Sequence, residues 1–414
     1  MKPTFKGTSF SITRRRFLQS AGTTSTVIWL PGMAYAQALE DVQEKLTGVS
    51  KWDLDTPALC VDLDHMEHNF SRIRTTTDRN GIGFRPHAKT HKTPAIAELQ
   101  IADGALGICT AKVGEAAAMI EHGIKKVLMT TCNVTTHKIS LAMELCKRSD
   151  QFIQAVFQES NARDLSAAAQ EAGVIADVVV DVDPGGHRTG IAPGKPALEL
   201  AQLVDRLPGL RQRGLLCYDG RVQHEINASV RRSQSVQAME PAADTLEKMR
   251  LSGLNTEIFS GGGTGTYNID HEIPGFTDVQ CGSYLFMDMQ YLANESLSGD
   301  DSYTDFKPSL TVLTTVVNTH IDGMATTDAG QKSLTIHKPD PKVLGESGVS
   351  YRTWGDEFGR ITYDEPTRTY QVGDKLEVIV PHCDPVVNLY DVMFATRNNR
   401  VEHVWPISAR GDAQ

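Results

Sequence analysis

Gly107–Thr131 reads GICTAKVGEAAAMIEHGIKKVLMTT: a short apolar run, an amphipathic stretch and a second short apolar run. The runs Leu106–Cys109 and Val127–Thr131 have strand length. Between them, KVGEAAAMIEHG carries its apolar residues at helical spacing and stops at glycine. Strand, helix, strand is the unit from which parallel sheets are built, because parallel neighbours need a crossover. The beat continues in both directions. Eight apolar runs, Gly83–Arg85, Leu106–Cys109, Val127–Thr131, Ile153–Phe157, Asp177–Val182, Leu215–Tyr218, Glu257–Phe259 and Asp278–Gln280, are mostly separated by helical patterns such as THKISLAMELCKR. Eight such units predict a (β/α)8 barrel over residues 52–304. A doubly wound sheet, the alternative, more usually shows about five or six.

Ahead of the first unit, ALCVDLDHMEHNFSRIRTTTDRNG predicts a strand and then a helix, N-capped by Asp64 with Glu67 three residues on, stopping at Gly81. Past Phe306 the period changes to two, broken by Gly, Asp and Asn, in stretches such as LTVLTTVVNTHIDGMATTDAG and YQVGDKLEVIVPHC. That pattern predicts an all-β domain over residues 305–411.

The chain has 414 residues, more than one ordinary core needs, and no apolar run of the length a membrane span requires. Its first 36 residues hold Lys2, Lys6, Arg14, Arg15 and Arg16 and no acid. TRRRFLQS, a weakly apolar stretch and AYA at Ala34–Ala36 predict a twin-arginine-type export signal over 1–36 and a periplasmic location. Removing it takes the net charge from −10 to −15. A chain that acidic is a poor partner for nucleic acid or an anionic membrane. Seven cysteines without paired spacing do not read as a disulfide framework. They suit a protein that folds around a cofactor in the reducing cytoplasm and is exported folded.

In a barrel, chemistry sits where strands end and βα loops begin. Those positions here hold His87-Ala88-Lys89, then DVDPGGHRTG with Arg188, YDGRVQHE with Tyr218 and His224, SGGGTGTY (Ser260–Tyr267) and QCGSY (Gln280–Tyr284). Consecutive glycines expose backbone N–H groups that side chains would crowd, which suits phosphate oxygens, and barrels commonly bind phosphate after strands seven and eight. A phosphate cradle facing a lysine at another strand end points to pyridoxal phosphate, with Lys89, nearer its strand than Lys92, as the covalent anchor. His87 and His91 are then tuners of that amine or packing residues. In the β domain, VIVPHCDPVVNLYD places His382, Cys383 and Asp384 at a strand end. Strand alternation puts His382 and Asp384 on one face with Cys383 turned away, a donor pair for Zn²⁺ or Mn²⁺.

RPHAKTHK, GICTAKVGEA, DVDPGGHRTG, YDGRVQH, SGGGTGTY, GSYLFMD, DAGQK, PHCDPVVNLYD and WPISARG, in that order, resemble the D-threonine aldolase and D-serine dehydratase-like family. This is the metal-dependent branch of the alanine-racemase-fold pyridoxal 5'-phosphate enzymes, and the resemblance runs from about Thr56 to Gly411. It implies Lys89 as the cofactor-linked lysine and Arg188 at the cofactor's phenolic oxygen. Tyr218 would line the pocket. The backbone of Gly262, Gly263, Thr264, Gly282 and Ser283 would form the phosphate site, and Gln280 would stand where alanine racemases keep an arginine. It implies His224 as general base, His382 and Asp384 as ligands of a divalent metal (Mn²⁺, Zn²⁺ or Mg²⁺), and a homodimer. One departure is visible: in DEFGRI, Phe358 stands where relatives have histidine.

The activity implied is cleavage of a D-threonine-like D-3-hydroxy amino acid to glycine and an aldehyde. His224 removes the hydroxyl proton whose pKa the metal lowers. A dehydratase, with Lys89 taking the α-proton and ammonia and a 2-keto acid as products, is the alternative. Asp384 in place of the dehydratases' cysteine favours the aldolase. A racemase would need a second base and no metal. A non-catalytic cofactor-binding protein would lack the β domain.

Overall fold

A computed structural model describes residues 41–365 and 368–414. The expected export signal lies outside the described residues.

All eight expected barrel strands are present: β2 Gly83–Phe84, β3 Ile108–Thr110, β4 Val127–Met129, β5 Phe152–Val156, β6 Ala176–Val182, β7 Leu210–Cys217, β8 Ile258–Gly261 and β9 Asp278–Val279. They pair in parallel in the order β2-β9-β8-β7-β6-β5-β4-β3. A bridge between His87 and Cys109 joins the two ends of that order, with Ala88 N donating to Cys109 O at 2.7 Å. Helix α1 Leu63–Asn80 leads into β2, and α2 Pro94–Ala102, α3 Val113–Glu121, α4 Thr136–Arg148, α5 Glu159–Ala172, α6 Lys195–Arg206 and α7 Ala228–Leu251 connect the strands from β2 to β8. Cys109, Leu128, Ile153, Ala155, Val179, Leu216 and Ile258 form a separate buried cluster, one side chain or two from each of β3 to β8. Strand alternation puts that cluster inside the barrel.

β7 begins five residues before the expected Leu215. LRQRG hides a strand because its charges are neutralised by the sheet itself. Arg211 and Arg213 both pair with the buried Asp177 on β6, and Arg213 also with Glu257. The cap of α1 also differs from expectation. Asp62, not Asp64, accepts from His65 N at 2.9 Å, while Asp64 and Glu67 pair with Arg397 outside. The expected stop is Gly81, left-handed at φ 68°.

The strand ahead of α1, β1 (Ala58–Asp62), joins the C-terminal sheet. It lies between β10 (Leu310–Asn318), antiparallel, and β16 (Val392–Arg397), parallel. That sheet also contains β11 Met324–Thr327, β12 Lys342–Val343, β13 Val349–Thr353, β14 Gly359–Tyr363, β15 Lys375–Ile379 and β17 Arg400–Pro406. The β domain is thus built from both ends of the described chain, with the barrel inserted. Among the described residues no helix is long and apolar enough to cross a membrane.

Candidate active site

After β2 the chain closes a tight turn, with His91 N donating to Ala88 O at 3.1 Å and Lys92 N to the same oxygen at 2.7 Å. Lys92 ends the turn in the left-handed region, φ 55°. Its ammonium is buried against Glu115, whose other oxygen accepts from Ala111 N at 2.9 Å and Lys112 N at 3.2 Å ahead of α3. Lys92 is therefore committed to structure, which leaves Lys89 as the reactive candidate. The Lys89 side chain is 40% exposed and its Nζ pairs with Asp384 of the β domain. Burial opposes the charge on Lys89, but Asp384 raises its pKa above the ordinary lysine value. Burial alone would raise Asp384 as well; Lys89 and His382 hold it well below the carboxylate range.

His87 is buried and contacts Thr130 Oγ1 at 3.3 Å, so burial and then Lys89 push its pKa well down. His91 is buried with Nδ1 accepting from Thr93 N at 3.1 Å, and burial lowers it to about 3. Both imidazoles are neutral, and His91 is a packing residue.

The glycine-rich segment packs too closely against its neighbours for side chains, which keeps its backbone as the exposed chemistry. A Cβ on Gly262 (φ 60°) would overlap Asp270 Oδ2, one on Gly263 would lie 2.6 Å from Gln223 Oε1, and one on Gly282 would overlap Thr90 Oγ1. Among the described residues, the amides of Gly262, Thr264 and Gly282 donate to no acceptor. The Gly263 amide faces Thr266 Oγ1 at 3.2 Å. Thr264 Oγ1 accepts from Tyr284 N at 2.9 Å, locking the loop after β8 to the loop after β9. Free backbone donors beside glycines, across the strand ends from Lys89, fit the phosphate of pyridoxal phosphate. Arg188 stands 5.0 Å from the ring centre of Tyr218, on a loop braced by Asp183, which accepts from Gly185 N at 2.9 Å. Gln280 is buried and donates to Ser260 Oγ at 3.0 Å, which in turn donates to Asp278 at 2.5 Å.

The metal candidates are not on a strand. β15 ends at Ile379, and Cys383–Val387 is a short helix with His382 as its N-cap. The expected alternation is therefore wrong: Cys383 is buried with Sγ donating to Ser283 Oγ at 3.4 Å, His382 turns to Asp288, and Asp384 turns to Lys89. Asp288 was not singled out in the sequence, yet it organises this end of the site. It is fully buried, and its Oδ2 accepts from His382 Nδ1 at 2.9 Å and Cys383 N at 3.0 Å. Its other oxygen accepts from Tyr291 N at 3.1 Å. Burial works against a charge on His382, but Asp288 raises its pKa overall. With Nδ1 committed, Nε2 is the nitrogen left for a cation, the arrangement in which a carboxylate orients a metal-ligating histidine. Asp288, His382 and Cys383 also bring their ligand atoms within 4.8 Å of one another. Imidazole and carboxylate donors at this mouth fit a divalent ion such as Mn²⁺ or Zn²⁺.

His224 ends the turn Val222–His224 after β7, exposed on one side and packed 4.5 Å from the ring of Tyr291. Burial of that face lowers its pKa, and Asp288, His382, Lys89 and Asp384 all act on it electrostatically. The structure thus gathers Lys89, Tyr218, Arg188, His224, His382 and Asp384 at one mouth between barrel and β domain. Phe358 lies apart from these contacts, about half exposed on the turn between β13 and β14.

Residues 61–290 match the family described as alanine racemase, N-terminal domain, and residues 309–396 match the putative serine dehydratase domain. A D-threonine aldolase of Arthrobacter sp. is 37% identical over 358 residues, 86% of this chain and 93% of that protein. A 3-hydroxy-D-aspartate aldolase of Paracoccus denitrificans (strain Pd 1222) is 33% identical, over 88% of this chain and 95% of its own. The crystal structure of D-threonine aldolase from Filomicrobium marinum superimposes with a TM-score of 0.85 at 35% identity, covering 89% of this chain and 99% of that one.

Proposed function

Since the chain belongs to the alanine racemase N-terminal domain family and carries a serine dehydratase-type C-terminal domain, we propose that it is a pyridoxal phosphate- and divalent metal-dependent aldolase cleaving D-3-hydroxy amino acids to glycine and an aldehyde. The observation that carries the reading is the meeting of Lys89, Asp384 and the His382–Asp288 pair at one mouth, opposite a cradle of free amides.

Bound pyridoxal phosphate supplies an electron sink for charge at the substrate α-carbon, and a divalent cation supplies a Lewis acid for the 3-hydroxyl. Lys89 is the covalent anchor; the amides of Gly262, Thr264 and Gly282 hold the phosphate, joined in this reading by Gly263 and Ser283. Arg188, Tyr218 and Gln280 line the ring's place. His382 and Asp384 hold the cation, and Asp288 keeps His382 in the tautomer that leaves Nε2 free. His224, neutral near pH 7 because burial lowers its pKa, accepts the 3-hydroxyl proton as the Cα–Cβ bond breaks. The proton lost from oxygen is balanced by one gained at the α-carbon, so glycine and aldehyde are the whole products.

Product analysis tests this. The purified protein with pyridoxal phosphate and Mn²⁺ is given D-threonine and other D-3-hydroxy amino acids, and glycine plus aldehyde is the expected outcome. Ammonia plus a 2-keto acid makes it a dehydratase instead, and activity surviving exhaustive chelation points to a racemase. Export through residues 1–36 and a homodimeric state belong to the same proposal. All seven cysteines are free, as suits a chain folded before export. Periplasmic fractionation and sedimentation read the two.

A further inference from the structure

Arg231, in the first turn of α7, is an arginine with no exposed surface and no carboxylate among its hydrogen-bond partners. Its guanidinium instead donates to four backbone carbonyls: Nε to Gly265 at 2.9 Å, Nη1 to Glu225 at 2.6 Å and Ile226 at 3.1 Å, and Nη2 to Glu295 at 2.6 Å. The ring of Tyr303 packs 5.5 Å from it. A buried cation that collects carbonyls from three separate segments fixes those segments to one another, since losing any one leaves a charged donor unpaired.

The segments it ties are the cradle turn, the residues just after His224 and the stretch at Glu295. Gln223, just before His224, completes the tie from the other side. Its Oε1 accepts from Gly265 N at 3.0 Å, and its Nε2 donates to Thr266 Oγ1 at 3.2 Å and Asp219 O at 3.3 Å. Thr266 Oγ1 in turn accepts from the Gly263 amide and donates to the buried Asp270 at 2.7 Å. Both backbone groups of Gly265 are therefore held by residues flanking or pinning the His224 turn. A Cβ on Gly265 would overlap the Gln223 carbonyl, so the two turns touch backbone to backbone.

We propose that Gln223 and Arg231 are positioning residues that make the cradle turn and the His224 turn one rigid body, so that an anion in the cradle sets where the His224 imidazole stands. The inference rests on the cradle being the phosphate site. It assigns phosphate a second task besides anchoring, as an effector of the general base. By thermodynamic reciprocity, whatever fixes His224 also tightens the cradle on its anion.

The test uses the full chain freed of cofactor, with ¹³C-labelled histidine and inorganic phosphate as the probe. His224→Asn identifies the His224 resonance, and calorimetry follows phosphate binding. In the native protein phosphate binds saturably and shifts His224 in step. In Gln223→Met phosphate still binds, weakened by about tenfold at most, and His224 no longer responds. Arg231→Lys, which keeps the charge but reaches fewer carbonyls, gives a partial response and guards against a misfolded variant. Phosphate binding without movement of His224 in the native protein overturns the inference and leaves the cradle standing, as does an equal response in Gln223→Met. Failure of phosphate to bind the native protein removes the cradle and the inference together. With pyridoxal in place of the phosphorylated cofactor, added phosphate should raise native kcat at unchanged KM, and Gln223→Met should lose that stimulation.

Discussion

Asp288→Asn isolates what a buried carboxylate does for a neighbouring histidine. In the native site one oxygen accepts from His382 Nδ1 and Cys383 N, and the other accepts from Tyr291 N. Asparagine keeps one acceptor and turns an NH₂ toward the remaining donors. If the carbonyl stays with Tyr291, the imidazole must give up its Nδ1 proton to accept from the amide. The proton then sits on Nε2, the nitrogen that would face a cation. Loss of such a partner typically lowers metal affinity by about 10–100-fold, or about 1.4–3 kcal/mol. The unpaired Cys383 amide and the lost charge-assisted bond cost about 2–4 kcal/mol of folding stability. Equilibrium dialysis of Mn²⁺ against native and variant protein measures the first, and urea unfolding the second. Cofactor binding serves as the internal control, because neither Lys89 nor the cradle changes. A variant that holds Mn²⁺ as tightly as the native protein would refute the reasoning and mean that His382 does not bind through Nε2.

Glu115→Gln leaves the buried ammonium of Lys92 without its carboxylate, at a cost of about 3–5 kcal/mol in urea unfolding; a loss under about 1 kcal/mol would mean water reaches the pair. Burial raises Asp270 from 3.8 to about 7, so the folded state holds that proton more tightly than the unfolded chain does. The stability this contributes is complete below about pH 4 and is lost as pH rises through about 7, up to roughly 4 kcal/mol. Asp270→Asn should flatten that slope, and parallel pH–stability curves for the two proteins sink the assignment. Lys89→Ala should lower activity by at least roughly a thousandfold, and borohydride should fix the cofactor to the native chain but not to the variant.

The barrel was legible because most of its strands contain a short apolar run, and those from β2 to β7 are each followed by a helix. The one long error, the start of β7, came where Arg211 and Arg213 are neutralised by Asp177 from the neighbouring strand β6, a pairing no local pattern reveals. Lys89 and the glycine run were legible from position alone, since strand ends and missing Cβ atoms are sequence properties. Asp288 was not: it is one aspartate in LFMDMQY, and only the fold shows His382, 94 residues later, turned toward it. The strand reading of His382–Asp384 failed because Pro385 sits inside the first turn of a short helix, where proline is tolerated. Gln223 and Arg231 read as an ordinary turn residue and a surface helix charge. Their burial follows from what α7 covers, not from their neighbours in the chain.

The placement of β1 has a consequence for how the protein is made. The barrel needs nothing beyond Val279 to pair its strands, whereas β1 waits for β10 and then for β16, which ends at Arg397. The roughly 120 residues between take on the order of ten seconds to leave the ribosome. Through that interval a nascent chain displays Lys89 and the glycine cradle while Asp384 and His382 are still being synthesised or unplaced. The residues that set Lys89 and the glycine cradle thus come well ahead of His382 and Asp384 in the order of the message.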